Sequence, residues 1–202
     1  MCRQVCTGEG GTPKSTLKET TMRKVIVSTY ATLDGRVDDL REWTVPYDDA
    51  GAVKYHTDLL ASSDGLLLGR KTYEIFAATW PSLSGQLSYI DKLNSMAKHV
   101  ASTTLTGLQW QNSHLIEGDV ADGVAKLKQQ PGQDLVMYGG QDLMHTLLEH
   151  NLIDEYRILV HPVLLGKGRN FLNHGAKRVN LDLVDTTVIP PGIAILTYQP
   201  AQ

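Results

Sequence analysis

The chain has almost no cysteine. Its two, Cys2 and Cys6, both fall within the first six residues. No disulfide therefore staples the body of the protein, and a reducing cytoplasm is the expected setting. Long apolar runs are missing too, and nothing approaches the roughly 20 residues that a membrane-spanning helix needs. Positive charge is not in excess: 19 Lys and Arg stand against 22 Asp and Glu, a net charge of −3. A basic face of the kind that grips nucleic acid is not expected. The seven histidines never take a metal-type spacing such as H-E-x-x-H, so no metal site is expected. Without G-x-S-x-G or any cysteine past residue 6, nucleophilic catalysis has no candidate.

What is present divides in two. Residues 1–21 hold few apolar side chains and many Gly, Thr, Lys and Glu, a composition that cannot bury enough surface to order itself. They read as a disordered extension that adds nothing to fold or cofactor binding. Within them, "GEGGTPKST" is not a phosphate loop, because Pro13 takes the place of the glycine before Lys14 and no strand precedes it. Residues 22–202 have the length and apolar content of one compact domain.

From Arg23 onward, strand-like and helix-like segments alternate, which predicts an α/β fold built on a mostly parallel sheet. Strands are expected at 24–32, 65–69, 99–103, 113–118, 135–138 and 155–166. Helices are expected from Asp48 or Asp49 to about Ser62, then over 70–80, 88–97, 119–130 and 142–150. Residues 36–48 are polar, contain Pro46 and read as loop. The text "NLDLVDTTVIPPGIAILTYQ" reads as a closing antiparallel hairpin turning at Pro191-Gly192. Asp154, Glu155 and His161 are expected at the start and on the solvent side of their strand.

Two strand-to-helix turns draw attention: Gly69-Arg70-Lys71-Thr72 and Gly139-Gly140-Gln141-Asp142. Glycine loses the most backbone entropy on ordering, so a Gly-Gly pair between a strand and a helix needs a reason. The exposed N–H groups and positive dipole end of a helix N-terminus attract anions, and bare glycine lets oxygens approach. Arg70 and Lys71 add charge, or are plain solvated surface. Neither turn fits G-x-G-x-x-G, which argues against a Rossmann site.

"GLLLGRKTYEIFAATWP", "KHVASTTL", "DLVMYGGQDLMHTLLE" and "LIDEYRILVHPVLLGKGRNFL", in that order, resemble the dihydrofolate reductase-like superfamily. The nearest branch is the reductase domain at the C-terminus of bacterial riboflavin-biosynthesis proteins and its stand-alone relatives, over residues 23–200. The resemblance implies a central sheet with helices on both faces, a C-terminal antiparallel hairpin and an NADPH-dependent reductase activity. Carried over, Arg70 and Lys71 would face the 2′-phosphate, Thr72 the pyrophosphate, and Ser102 and Thr103 the adenosine phosphate. Gly69 opens the first turn, while Gly139, Gly140, Gln141 and Asp142 would receive the pyrophosphate from the other side. "TLDG" places Thr32 and Asp34 beside the nicotinamide, where Asp34 is either catalytic or a turn former. Trp43, Pro46 and Asp48 follow the W-x-x-P-x-D spacing of dihydrofolate reductases. Trp43 would then lie over the nicotinamide, and Asp48 is either a proton donor or a helix N-cap. Lys167 would meet a substrate phosphate, or is a turn lysine. The implied substrate is 5-amino-6-(5-phosphoribosylamino)uracil. The alternatives are a dihydrofolate-type pteridine, or no turnover at all in a nucleotide-binding module of the same fold. A homodimer is expected, with no deaminase half.

Overall fold

The computed structural model describes residues 22–47, 50–171 and 177–201. The expectations for residues 1–21, and for Asp48 and Asp49, lie outside the described residues. Among the described residues, eight strands form one sheet: β1 (Val25–Thr32), β2 (Ser63–Gly69), β3 (Ala97–Ala101), β4 (Ser113–Leu115), β5 (Asp134–Tyr138), β6 (Glu155–His161), β7 (Leu181–Ile189) and β8 (Ile193–Pro200). Their order is β4-β3-β2-β5-β1-β6-β8-β7. Every neighbouring pair up to β6 is parallel, and β8 runs antiparallel to both β6 and β7. The helices are α1 (Leu40–Trp43), α2 (Ala50–Ala61), α3 (Arg70–Thr79), α4 (Ser88–Ser95), α5 (Val120–Gln129) and α6 (Gln141–Glu149).

The centre of the sheet is built from its most apolar text. Val25-Ile26-Val27, Leu66-Leu67-Leu68 and Leu135-Val136-Met137 are all buried, because parallel strands with helices on both faces have no solvent side. Alternation sorts them. Val25, Val27, Leu67, Leu135 and Met137 pack against Val124 of α5 and Leu143 and Leu147 of α6. Ile26, Leu66, Leu68 and Val136 face Leu59 and Leu60 of α2, Tyr73 of α3 and Leu93 of α4.

Two expectations need correction. Residues 36–48 are not a plain loop: α1 and a 3-10 turn at Val45–Tyr47 form there, with Trp43 buried beneath them. Glu155 and His161 are buried at 5% and 2% exposure rather than solvated. β6 is an interior strand, flanked by β1 and β8, so its polar side chains must be satisfied from within. Glu155 meets Arg157 at 2.7 Å and accepts from Gln199 at 3.1 Å.

This order positions a site. β5 inserts between β2 and β1, while the chain leaving α6 crosses to the other side of β1. The connection leaving β2 runs to β3 and that leaving β5 runs to β6 on the opposite side. Connections therefore diverge beyond the carboxyl ends of β2 and β5, the usual ligand position in open α/β sheets. No helix among the described residues is long and apolar enough to cross a membrane.

Candidate active site

β2 and β5 are adjacent, with Leu67 beside Met137, so the glycine turns that end them are adjacent as well. Gly139 and Gly140 take φ of +58° and +77°, a left-handed region that costs other residues roughly 1–2 kcal/mol. Gly69 and Gly140 are the N-caps of α3 and α6, and neither cap supplies a side-chain hydrogen bond. A Cβ built on Gly140 would stand 3.7 Å from Thr72 Oγ1 and 3.8 Å from the Gly69 nitrogen. Two helix N-termini with uncapped amides therefore open onto one space, and a pyrophosphate fits that donor set.

The charged residues surround this space unevenly. Arg70 is half-exposed and reaches Glu74 at 3.2 Å, and Lys71 is exposed beside it. On the neighbouring strand, Ser102 and Thr103 follow Ala101, whose register partner is Gly69. The Ser102 hydroxyl accepts from the Thr104 and Leu105 amides at 3.2 and 3.1 Å, folding that turn back on itself. Gln141 donates its side-chain amide to the Asn170 carbonyl. Asp142 is exposed in the first turn of α6, where its carboxylate suits the helix dipole and only its backbone suits an anion.

Beyond β1 the structure assigns different work from that expected. Thr32 is buried; its hydroxyl donates to Asp34 Oδ1 at 2.6 Å and accepts from the Arg36 amide at 2.8 Å. Its one hydrogen is committed to Asp34. Asp34 also accepts from the Leu165 and Gly166 amides at 3.2 and 2.8 Å. The Thr32 hydroxyl, followed by the Gly166 amide, holds the Asp34 carboxyl down to about 2. A group so firmly ionised is a poor proton donor, so the catalytic expectation for Asp34 gives way to a latch between residues 32–36 and 163–168. Asp38 forms a second latch, taking Arg169 Nε at 2.5 Å. Burial acts to raise the Asp38 carboxyl, yet the Arg169 hydrogen bonds and charge keep it below its ordinary value. Lys167 is exposed at the tip of the latched loop, between Gly166 at φ +67° and Gly168 at φ +103°. Trp43 is 4% exposed, donates to the Asp38 carbonyl at 2.8 Å and sets its edge on His161. Asp48 lies outside the described residues.

One group escaped sequence reasoning. On the α2 side of the sheet, Tyr30 of β1, His56 of α2 and Tyr138 of β5 form a connected chain. The Tyr30 hydroxyl is 2.6 Å from His56 Nε2, and His56 Nδ1 is 3.2 Å from the Tyr138 hydroxyl. Tyr55 and Tyr89 stack about the same imidazole, and His161 packs on Tyr30 at 5.0 Å between centroids. Burial alone pulls His56 down to about 4, so the ring is neutral. Burial likewise pushes the Tyr138 phenol well above its ordinary value. The one signal in the sequence was periodicity: Ala52, His56, Leu59 and Leu60 share the apolar stripe of a helix. A separate cleft of about 350 Å³, lined by Asn94, Trp110 and Gln111, lies by the amino-terminal ends of β3 and β4, away from this chemistry.

A sheet parallel through β6 and closed by the antiparallel β8-β7 pair, with helices on both faces, is the dihydrofolate reductase-like α/β fold. The chain belongs to the RibD C-terminal domain family, whose profile matches residues 23–195. It is 30% identical over 182 residues to protein YyaP of Bacillus subtilis (strain 168), itself uncharacterized; the match covers 87% of this chain and 94% of that protein. Among solved structures, it superposes on the diaminohydroxyphosphoribosylaminopyrimidine deaminase/5-amino-6-(5-phosphoribosylamino)uracil reductase of Thermotoga maritima. That match has a TM-score of 0.64 at 14% identity, over 89% of this chain and 57% of the other. Dihydrofolate reductase from Enterococcus faecalis, complexed with NADP(H) and RAB-propyl, matches with a TM-score of 0.61 at 15% identity, over 89% and 97% of the two chains. At such identities the likeness establishes the fold. Both solved neighbours are reductases.

Proposed function

We propose that the protein is an NADPH-dependent reductase of a small planar heterocycle, with 5-amino-6-(5-phosphoribosylamino)uracil the leading candidate. The observation that carries the reading is the pair of uncapped helix N-termini at Gly69 and Gly140, opening onto one space beside an aromatic-lined face. Backbone amides of Gly69, Gly139, Gly140, Gln141 and Asp142, with the Thr72 hydroxyl, would hold the pyrophosphate. Arg70 and Lys71 would take the 2′-phosphate, and Ser102 and Thr103 the adenosine phosphate. Bound there, the cofactor supplies hydride. The chain's own work is to orient the ring to be reduced, exclude water and hold a proton ready. Lys167, at the tip of the latched loop, suits a substrate phosphate.

Calorimetric titration with NADPH and NADH tests the reading. NADPH should bind more tightly, because a charge-assisted hydrogen bond to phosphate is worth about 1.5–3 kcal/mol. Arg70→Ala should therefore weaken NADPH binding roughly 10- to 100-fold and leave NADH nearly unchanged. Equal loss for both would return Arg70 to a helix-surface role with Glu74. Turnover of dihydrofolate, and not of the pyrimidine, would move the substrate to the pteridines.

The working unit we infer is a homodimer joined along β7. Eight of its nine residues are exposed, and Leu183, Val184 and Val188 present apolar surface on an edge with unpaired backbone. Sedimentation should give twice the chain mass. Val184→Lys with Val188→Lys should return it to the monomer, and a monomeric wild-type protein would end this proposal.

A further inference from the structure

We propose that Gln141 couples the two ends of the site, so that a cofactor held at the α6 turn steadies the loop that carries Lys167. The inference rests on the reductase reading above and adds to it a route between cofactor and substrate.

Residues 163–171 have two attachments of unequal strength. The first is to residues 32–38. Backbone amides donate from Leu33 to the Val163 carbonyl at 2.9 Å, from Val37 to Arg169 at 3.1 Å and from Phe171 to Gly35 at 2.9 Å. Arg36 Nη1 donates to the Gly168 carbonyl at 2.9 Å and to Asn170 Oδ1 at 2.6 Å. The Asp34 and Asp38 carboxylates add the amides of Leu165, Gly166 and Arg169. Bonded at so many points, the two segments form one body.

The second attachment, to α6, is a single hydrogen bond among the described residues: the Gln141 side-chain amide donates to the Asn170 carbonyl. Phe171 also packs against the cluster to which α6 contributes, a contact without hydrogen-bond direction. Asn170 therefore joins the two sides, its side chain on Arg36 and its carbonyl on Gln141.

Gln141 stands where an anion would be felt. It is the first residue of α6, directly after Gly139 and Gly140, and Gly140 as N-cap supplies no side-chain hydrogen bond. The first-turn amides are thus left to solvent or ligand, and the glycine pair gives the turn wide backbone freedom. A pyrophosphate on those amides fixes the backbone from which the Gln141 side chain reaches Asn170. The loop then docks on a turn already ordered, which is coupling through conformational entropy. The two states so biased are the loop docked on Gln141 and the loop released from it. Linkage makes the effect reciprocal, since a docked loop favours the cofactor by the same factor. Gln141 is a positioning residue: its side chain acts on the substrate only through Asn170 and the loop.

Hydrogen exchange at the Leu165, Gly166 and Arg169 amides tests this, with NADPH at a concentration that saturates each variant. In wild type, NADPH should slow that exchange by about 3- to 10-fold, the scale of one neutral hydrogen bond. Gln141→Met keeps the side-chain length and the backbone N–H but removes the donor. Its loop should exchange about 3- to 10-fold faster without cofactor, and NADPH should not slow it. Gln141→Lys, which donates again, should restore the slowing, and its failure to do so would count against the donor. Equal slowing in wild type and Gln141→Met, or no slowing in a wild type that binds NADPH, would overturn the coupling and leave the reductase reading intact. Failure of the wild-type protein to bind NADPH would instead remove the reading on which the coupling depends.

Discussion

Replacing Gly140 with alanine should weaken NADPH binding by about 100-fold while the protein still folds. The alanine must adopt the φ of +77° that glycine takes there, a strain of roughly 1–2 kcal/mol. For a domain of this size that lowers the melting temperature by on the order of 5 °C. Its nearest neighbours, at 3.4 Å or beyond, are ordinary contacts, so packing adds little. The methyl, however, points between the two helix N-termini, where a pyrophosphate oxygen would sit. Losing one charge-assisted hydrogen bond, at the upper end of ~1.5–3 kcal/mol, gives the stated drop. Gly118→Ala is the control, with φ of +73°, open space around it and no part in the cradle. It should cost similar stability and no affinity. If both variants bind NADPH like wild type, the glycines serve the turn alone.

The largest stability effect should come with acid, between about pH 6.5 and pH 4. Burial lowers His56 to about 4, and burial together with the Arg23 and His114 charges does the same for His99. In that window the unfolded chain binds protons that the folded chain refuses, so stability is full above pH 6.5 and falls as pH is lowered through the window. For His56, some 2.5 pK units at ~1.36 kcal/mol each amount to about 3 kcal/mol. Urea melts at pH 7.5, 5.5 and 4.5 should show the decline, and His56→Gln should flatten its share of it. Asp34 works in a separate range. With its carboxyl at about 2, its contribution is present above pH 4 and fades only below. A midpoint independent of pH down to 4.5 would mean that His56 protonates inside the folded protein.

The parts of the fold that could be read in advance were those whose residues have one physical use. Val25-Ile26-Val27 and Leu66-Leu67-Leu68 fit only buried parallel strands, and Leu143, Leu147 and Leu148 fit only one face of a helix. The glycine turns were legible for the same reason, because two consecutive glycines at a helix start make poor structure and good backbone access. Residues with two uses were not legible. Asp34 as a turn former or an acid differs only in what surrounds it, and the deciding amides of Leu165 and Gly166 come from the far end of the chain. Glu155 and His161 looked solvated because nothing local shows that β6 is interior. Tyr30, His56 and Tyr138 belong to three elements, and only the sheet order β5-β1 and the packing of α2 on that sheet bring them together.

The two carboxylate latches set an order on how the protein is made. Asp34 holds an amide 132 residues downstream, and Asp38 holds Arg169 across 131. A nascent chain that has emerged as far as α6 contains β1, β2 and β5, and with them Gly69, Gly139 and Gly140. It lacks the latched loop, because residues 163–171 are still inside the ribosome or the exit tunnel. During synthesis, then, the strands that carry the glycine turns emerge before the loop that latches onto the end of β1. A cofactor able to bind that early cradle would stabilise the growing chain by mass action before there is any reaction for it to serve.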